Sequence, residues 1–187
     1  LAAILAVIRV LRVPVAHQAA GVFISFFRGT PLLVQLFLFY YGLPQAIPAF
    51  VRIDGVTAAI LGLTLHFAAY MAESLRGAIT GVPRDQWEAA RAVGMTEGQT
   101  MRRIILPQAL KPMMAPYVNQ SVTQLKNTSL VSIIAVPDLV YNATLINADT
   151  YRPLEVYTIV ALIYFAILFP STLVARRLER GLTYDKV

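Results

Sequence analysis

Long stretches without any charged side chain constrain this sequence more than any other feature. No charge occurs between Arg28 and Arg52, between Asp54 and Glu73, or from residue 156 to 175. A charge at the centre of a bilayer costs about 2.5 to 3.5 kcal/mol on insertion scales, so helices that cross a membrane must fall between charges. With 57% apolar and 14% charged residues, the chain also has too little charge to cover a soluble surface. We therefore expect an integral membrane protein.

The 187 residues suit a bundle of transmembrane helices, since each crossing needs about 20 apolar residues. The sequence predicts an all-α fold with about five spans in a single domain, residues 1–187. Four spans fall in residues 32–41, 55–72, 112–137 and 156–175. The third of these contains many amides and hydroxyls, so we expect it to be broken or tilted and to face protein or a polar path.

The N-terminal region does not fit a complete span. Residues 1–8 are apolar but cover only about 12 Å as a helix, and Arg9 and Arg12 follow. We expect the sequence to begin inside its first transmembrane helix, which counts as the fifth span. Residues 13–27 are uncharged but short, and they fit an interfacial helix better than a span.

The distribution of basic residues predicts the orientation. If residues 80–111 are cytoplasmic, most Arg and Lys residues fall on that side, and the other side keeps only Arg52 and Arg152 among several acidic residues. By the positive-inside rule, the N-terminus is then outside and the C-terminus is cytoplasmic. The residues placed inside are Arg9, Arg12, Arg28, Arg84, Arg91, Arg102, Arg103, Lys111, Arg176, Arg177, Arg180 and Lys186.

The loop after the second complete span carries its own helix signals. Pro83 can begin a helix, and Gly94 can end it in a left-handed cap, which predicts a short helix over 84–93. Thr96 and Gln99 have the spacing of a capping box, which predicts a second helix that runs to Leu106 and ends before Pro107.

The first loop helix has the character of a docking element. Ala89 and Ala90 offer a small surface that another backbone can approach, Trp87 supplies an apolar anchor, and Glu88 and Arg91 supply charges. A short helix of this kind suits a groove on a partner protein. The alternative is an ordinary amphipathic helix at the membrane surface.

The same loop resembles the EAA loop of the permease subunits of binding-protein-dependent ABC importers. Glu88-Ala89-Ala90, then Gly94, then Ile104 and Leu106-Pro107 match every position of that pattern. The resemblance implies a type I importer fold, in which residues 81–107 form a coupling loop that docks on a cytoplasmic ATPase. The implied coupling residues are Trp87, Glu88, Ala89, Ala90, Gly94, Ile104, Leu106 and Pro107.

Other segments are similar to polar amino acid permeases within that superfamily, namely residues 28–35, 72–79 and 125–130. The resemblance implies a subunit of the bacterial cytoplasmic membrane that works with two copies of an ATPase, a second permease subunit and an external solute-binding protein. The second permease subunit is either identical to this chain or similar to it. A permease for another small polar solute is the alternative.

Lys126 is the only charge between Pro112 and Pro137. An ionisable group inside a membrane is a functional candidate, and amides surround this one at helical spacing. Snorkelling, or an ion pair with Glu73, is an equally good explanation. The candidates for the substrate pathway are Thr30, Glu73, Gln120, Gln124, Lys126 and Asn127. We favour a structural role for both Glu73 and Thr30. Glu73 has the spacing of an ion pair with Arg76, and Thr30 lies at the start of a helix.

The sequence offers little support for catalysis. It has no phosphate-binding Gly-x-x-x-x-Gly-Lys motif, no cysteine and only two distant histidines, so we expect no cofactor, no metal site and no nucleotide hydrolysis by this chain. Its positive charge fits anionic lipid better than nucleic acid. The rival classes are an ion-driven secondary transporter, which should show internal repeats, and a membrane enzyme or scaffold that uses a docking helix.

Overall fold

The computed structural model describes residues 1–47 and 53–183, with the side chains of 175, 176 and 178–183 left out. Arg52 and Lys186 lie outside the described residues, as do the side chains of Arg176 and Arg180. The described residues are helical apart from turns and short connections, as the sequence predicts. The helices are α1 (Ala2–Leu11), α2 (Ala16–Gly29), α3 (Leu32–Ala46), α4 (Gly55–Thr80), α5 (Arg84–Ala92), α6 (Glu97–Ile134), α7 (Leu139–Thr150) and α8 (Pro153–Thr183).

Four of the five predicted spans correspond to helices long and apolar enough to cross a membrane, two of them only as bent pairs. Within the described ranges, α4 and the Pro153–Val174 part of α8 meet that condition alone. The pairs α2 with α3 and α6 with α7 meet it together, and they are bent by 110° and 49°. The helix α1, where the sequence predicts a further span, is apolar but shorter than the helices that meet this condition.

The chain forms two compact units, each built from separate stretches of sequence. The first unit contains Leu1–Phe26, Ala68–Gln120 and Ala175–Val187, and the second contains Phe27–Phe67 and Ser121–Val174. The core of the first unit includes Leu75, Ile79, Met101, Ile105 and Ala109, and that of the second includes Leu32, Leu36, Ala59, Val131 and Ile134.

The helix that begins at Glu97 does not end before Pro107, so that prediction is wrong. A π-helical turn over Met101–Ile105 precedes the proline, and the N–H of Leu106 bonds to the carbonyl of Met101. Proline has no N–H and its ring clashes with the carbonyl four residues earlier, and a wider turn relieves both problems. Another π-helical turn, over Leu38–Gly42, precedes Pro44 in α3.

The predicted break in the third complete span is present. After Asn127, α6 continues as a 3-10 helix over Thr128–Ile134, and Ala135 then takes a left-handed conformation with φ of 58°. Pro112, where the sequence suggests a start, lies inside the helix instead, as does Pro116.

Capping side chains fix the starts of two helices in the second unit. Asp54 precedes α4, and its Oδ1 accepts the N–H of Thr57 at 3.3 Å. Hydrogen bonding to the Thr57 side chain lowers the pKa of Asp54. Asp138 caps α7 in the same way, because its Oδ1 accepts the N–H of Tyr141 at 2.8 Å.

Candidate functional site: the coupling loop and the polar part of α6

The helix α5 is delimited by the residues that the sequence indicates. Pro83 precedes it in an extended conformation, and Gly94 ends it with φ of 77°. The N–H of Gly94 bonds to the carbonyl of Arg91 at 2.9 Å, and the N–H of Met95 bonds to that of Ala90 at 3.0 Å. These two bonds form a Schellman motif, in which a glycine is preferred at the left-handed position.

The two faces of α5 have different surroundings. Trp87 packs against the core of the first unit, and Ala90 is only 4% exposed. Glu88 and Ala89 are exposed on the other face. The pair Ala89 and Ala90 is therefore not a single docking surface, since Ala90 lies inside its own unit and only Ala89 faces outward.

The capping box that starts α6 is formed as predicted. The N–H of Gln99 bonds to Oγ1 of Thr96 at 3.3 Å, and the N–H of Thr96 bonds to Oε1 of Gln99 at 3.0 Å. Farther along the helix, Nε2 of Gln108 donates to Oε1 of Gln86 in α5 at 3.1 Å.

The remaining residues of the coupling pattern lie on the first turns of α6. Ile104 and Leu106 are half-buried and pack against the same core as Trp87, whereas Pro107 is exposed. The helix α5 is thus joined to α6 by apolar packing and by a side-chain hydrogen bond.

Glu73 and Arg76 form the ion pair that their spacing indicates. Nη2 of Arg76 lies 2.6 Å from Oε1 of Glu73, and Nε of Arg76 lies 3.0 Å from Oε2. Both side chains are partly exposed in the first unit. The ion pair gives Glu73 a structural role, which is the interpretation that the sequence favours.

The polar residues of α6 divide into half-buried and exposed members. In the second unit, Nε2 of Gln124 donates to the carbonyl of Leu63 at 3.0 Å, and Nδ2 of Asn127 lies 3.5 Å from Oε1 of Gln124. Lys126 is exposed and forms no ion pair with any residue that the structure describes. Gln120, in the first unit, is half-buried.

A buried polar network in the second unit was not predicted. Gln35 is 1% exposed, and its Nε2 donates to the carbonyls of Phe27 and Thr30 at 2.9 and 3.0 Å and to Oγ1 of Thr30 at 2.8 Å. Its Oε1 lies 3.1 Å from Nδ1 of His66. Because the amide nitrogen faces three oxygens, the amide oxygen is the atom that faces His66, which assigns the hydrogen to Nδ1. Thr30 is therefore part of a structural network at the bend between α2 and α3. The only sequence signal was that Gln35 is the single polar side chain in an apolar run.

Neither histidine takes part in a metal site within the described residues, where no group of three or more His, Cys, Asp or Glu side chains occurs. His66 bonds to Gln35, and Nε2 of His17 lies 3.1 Å from Nη1 of Arg9.

Residues 1–184 match the family described as "Binding-protein-dependent transport system inner membrane component". The chain is 51% identical to the probable amino-acid ABC transporter permease protein PatM of Vibrio harveyi over 90% of its own length and 75% of that protein. It is 39% identical to the glutamine transport system permease protein GlnP of Escherichia coli K12, over 89% of its length and 75% of that protein.

Solved structures have the same fold. A crystal structure of an amino acid ABC transporter with histidines matches with a TM-score of 0.85 and 36% identity, covering 96% of this chain and 83% of that one. The MetNI methionine ABC transporter in an inward-facing conformation matches with a TM-score of 0.76 at 19% identity, which shows the fold alone; 96% of this chain and 84% of that one are covered. The family match covers nearly the whole sequence, and the chain therefore belongs to the inner membrane components of binding-protein-dependent transport systems.

Proposed function

We propose that this chain is the permease subunit of an ATP-driven importer and that it forms, with a second permease subunit, a pathway for polar amino acids. The names of its relatives PatM and GlnP support an amino acid as the substrate. In this proposal two copies of an ATPase subunit supply the energy, and an external solute-binding protein delivers the substrate. The absence of a phosphate-binding motif from the sequence is the reason to assign ATP hydrolysis to the partner.

The observation that carries the proposal is the arrangement of α5. On its inner face, Trp87 packs against the core that contains Met101 and Ile105 of α6, and Ala90 is buried. Its outer face, with Glu88 and Ala89, is exposed. Packed interiors transmit displacement because they have few voids. A partner that moves α5 from its outer face therefore moves the start of α6 as well.

The polar part of α6 is the proposed route for the substrate. An amino acid brings a carboxylate and an ammonium, and each costs several kcal/mol to move through hydrocarbon unpaired. Lys126 is exposed and can meet the carboxylate. The amides of Gln120, Gln124 and Asn127 can meet either charge, although Gln124 and Asn127 also serve the packing of α6.

The positive-inside rule supports an orientation in which the coupling loop and the C-terminus are cytoplasmic. This orientation places α5 on the side where ATP is available. The proposal is a multi-pass subunit whose N-terminal helix starts outside.

Cross-linking tests the docking of α5 directly, because the sequence contains no cysteine. Ala89→Cys should cross-link to the ATPase subunit through a short bifunctional reagent. Ala90→Cys, which places the thiol one position away on the buried face, is the matched control and should not. Equal cross-linking of the two variants, or none with Ala89→Cys in an assembled complex, would contradict the proposal.

A further inference from the structure

A pair of glutamine side chains connects α5 to α6 outside the apolar core. Nε2 of Gln108 donates to Oε1 of Gln86 at 3.1 Å and to the carbonyl of Ile104 at 3.1 Å. Because a carbonyl can only accept, the atom of Gln108 that faces Ile104 is the amide nitrogen, and the atom of Gln86 that faces this nitrogen is its amide oxygen. The amide of Gln108 therefore has one acceptor on each helix.

Gln86 lies at the boundary between the two faces of α5. It is exposed, and it stands three residues before Ala89 on the outer face and four residues before Ala90 on the inner face. Residues three and four positions apart are neighbours on a helix surface. The side chain that is bonded to Gln108 thus lies beside the outer surface of α5, where the proposed partner acts.

The other acceptor of Gln108 belongs to an irregular part of α6. The carbonyl of Ile104 lies in the π-helical turn over Met101–Ile105. Such turns are rare within α-helices and occur frequently at functional sites. The amide of Gln108 thus links α5 directly to the backbone of this turn.

The glutamine pair adds direction to the packing between α5 and α6. The burial of apolar surface by Trp87 has no preferred direction, whereas a hydrogen bond weakens steeply outside a narrow range of distance and angle. A displacement of α5 therefore strains the bond between Gln86 and Gln108 unless the π-helical turn follows. Both side chains are exposed, so water replaces the bond at little cost to the free energy of unfolding.

We infer that Gln86 and Gln108 are positioning residues that transmit a displacement of α5 to the π-helical turn of α6. The displacement passes from the amide of Gln86 to that of Gln108 and from there to the carbonyl of Ile104. The inference rests on the proposed function, because the ATPase supplies the displacement. Neither glutamine is among the coupling residues that the EAA pattern implies.

The ratio of amino acid uptake to ATP hydrolysis in proteoliposomes tests this role. Gln86→Leu and Gln108→Leu keep a similar side-chain volume and remove the bond. Each should lower the uptake per ATP hydrolysed by roughly fivefold, the factor that one neutral hydrogen bond contributes to an equilibrium. The double variant should be no worse than Gln108→Leu, because the two residues act through one contact. Gln86→Glu keeps the acceptor oxygen and should retain the ratio of the wild type.

The controls separate coupling from folding and from docking. Gln18→Leu replaces an exposed glutamine of α2 in the same unit and should leave the ratio unchanged. The melting temperature in nanodiscs and the amount of ATPase that copurifies should be the same for every variant as for the wild type. A role in folding would lower the first of these, and a role in docking would lower the second.

Three results would overturn the inference while the wild-type complex is coupled. The first is an unchanged ratio in Gln86→Leu and Gln108→Leu. The second is an equal loss in Gln86→Glu, which would show that the bond is not what matters. The third is a lower ratio that a loss of stability or of bound ATPase explains. A wild-type complex without ATP-driven uptake would instead contradict the proposed function, and the inference with it.

Discussion

Oε1 of Gln35 accepts a hydrogen bond from Nδ1 of His66 at 3.1 Å, between residues that are 31 positions apart in the sequence. The same amide donates to the carbonyls of Phe27 and Thr30, where the bend between α2 and α3 interrupts regular helical bonding. In a membrane no water replaces such bonds, so backbone groups at a break need a partner from the protein. Gln35 supplies it and connects the bend to α4.

Gln35→Leu should therefore destabilise the protein by about 1 to 3 kcal/mol, since it removes the partners of two carbonyls and of His66 at once. Thermal unfolding in nanodiscs measures the change. Gln18→Leu, at an exposed position of α2, is the control and should have a small effect. Equal stability of the two variants would show that the network is dispensable.

Gly55→Ala should disrupt the start of α4. A Cβ at this position would lie 2.8 Å from the backbone oxygen of Ile134, which cannot rotate away as a side chain can. We expect a loss of about 1 to 3 kcal/mol in the free energy of unfolding. Gly77→Ala on the same helix meets nothing within 4 Å and should be neutral or stabilising. The idea fails if both substitutions have the same effect.

Gly94→Val should uncouple ATP hydrolysis from uptake or release the ATPase subunit. No atom lies within 4 Å of a Cβ at Gly94, so the cost comes from its φ of 77°, which a β-branched residue rarely adopts. The C-terminal end of α5 must then change shape. Gly98→Ala is the matched control, because its Cβ is equally unhindered and it lies within α6. Normal uptake and normal substrate-stimulated ATPase activity in Gly94→Val would contradict a coupling role.

Local rules predict the local features of this fold. Pro83 and Gly94 delimit α5, and Thr96 and Gln99 start α6. Glu73 pairs with Arg76 because the two residues lie three positions apart on the same helix. Features that depend on distant partners escaped prediction. One local feature was also missed, because a π-helical turn over Met101–Ile105 lets α6 continue through Pro107, where the proline alone predicts the end of the helix.

The same limit applies to the candidate site. The sequence predicts that α5 is a docking helix, but it does not say which side of the helix is buried. Trp87 faces inward because it packs against a core that contains residues of α1, α4 and α6, and Ala90 is also buried. The bond between Gln35 and His66 was likewise invisible, since only the tertiary fold brings these helices together.

Lys126→Met should lower uptake while leaving assembly and basal ATPase activity intact. Because Lys126 is exposed, its replacement leaves no buried polar group without a hydrogen-bond partner. Lys111→Met, at an exposed position earlier in α6, controls for the loss of a positive charge. Unchanged uptake with reduced stability would instead identify Lys126 as a structural residue.

Transport in proteoliposomes tests the central claim most directly. The permease would be reconstituted with its ATPase and its solute-binding protein, and uptake of radiolabelled amino acids would be followed with ATP or a non-hydrolysable analogue on the ATPase side. The account predicts uptake that requires hydrolysable ATP, the ATPase subunit and the binding protein together. Uptake that an ion gradient drives in the absence of ATP and the ATPase would contradict it.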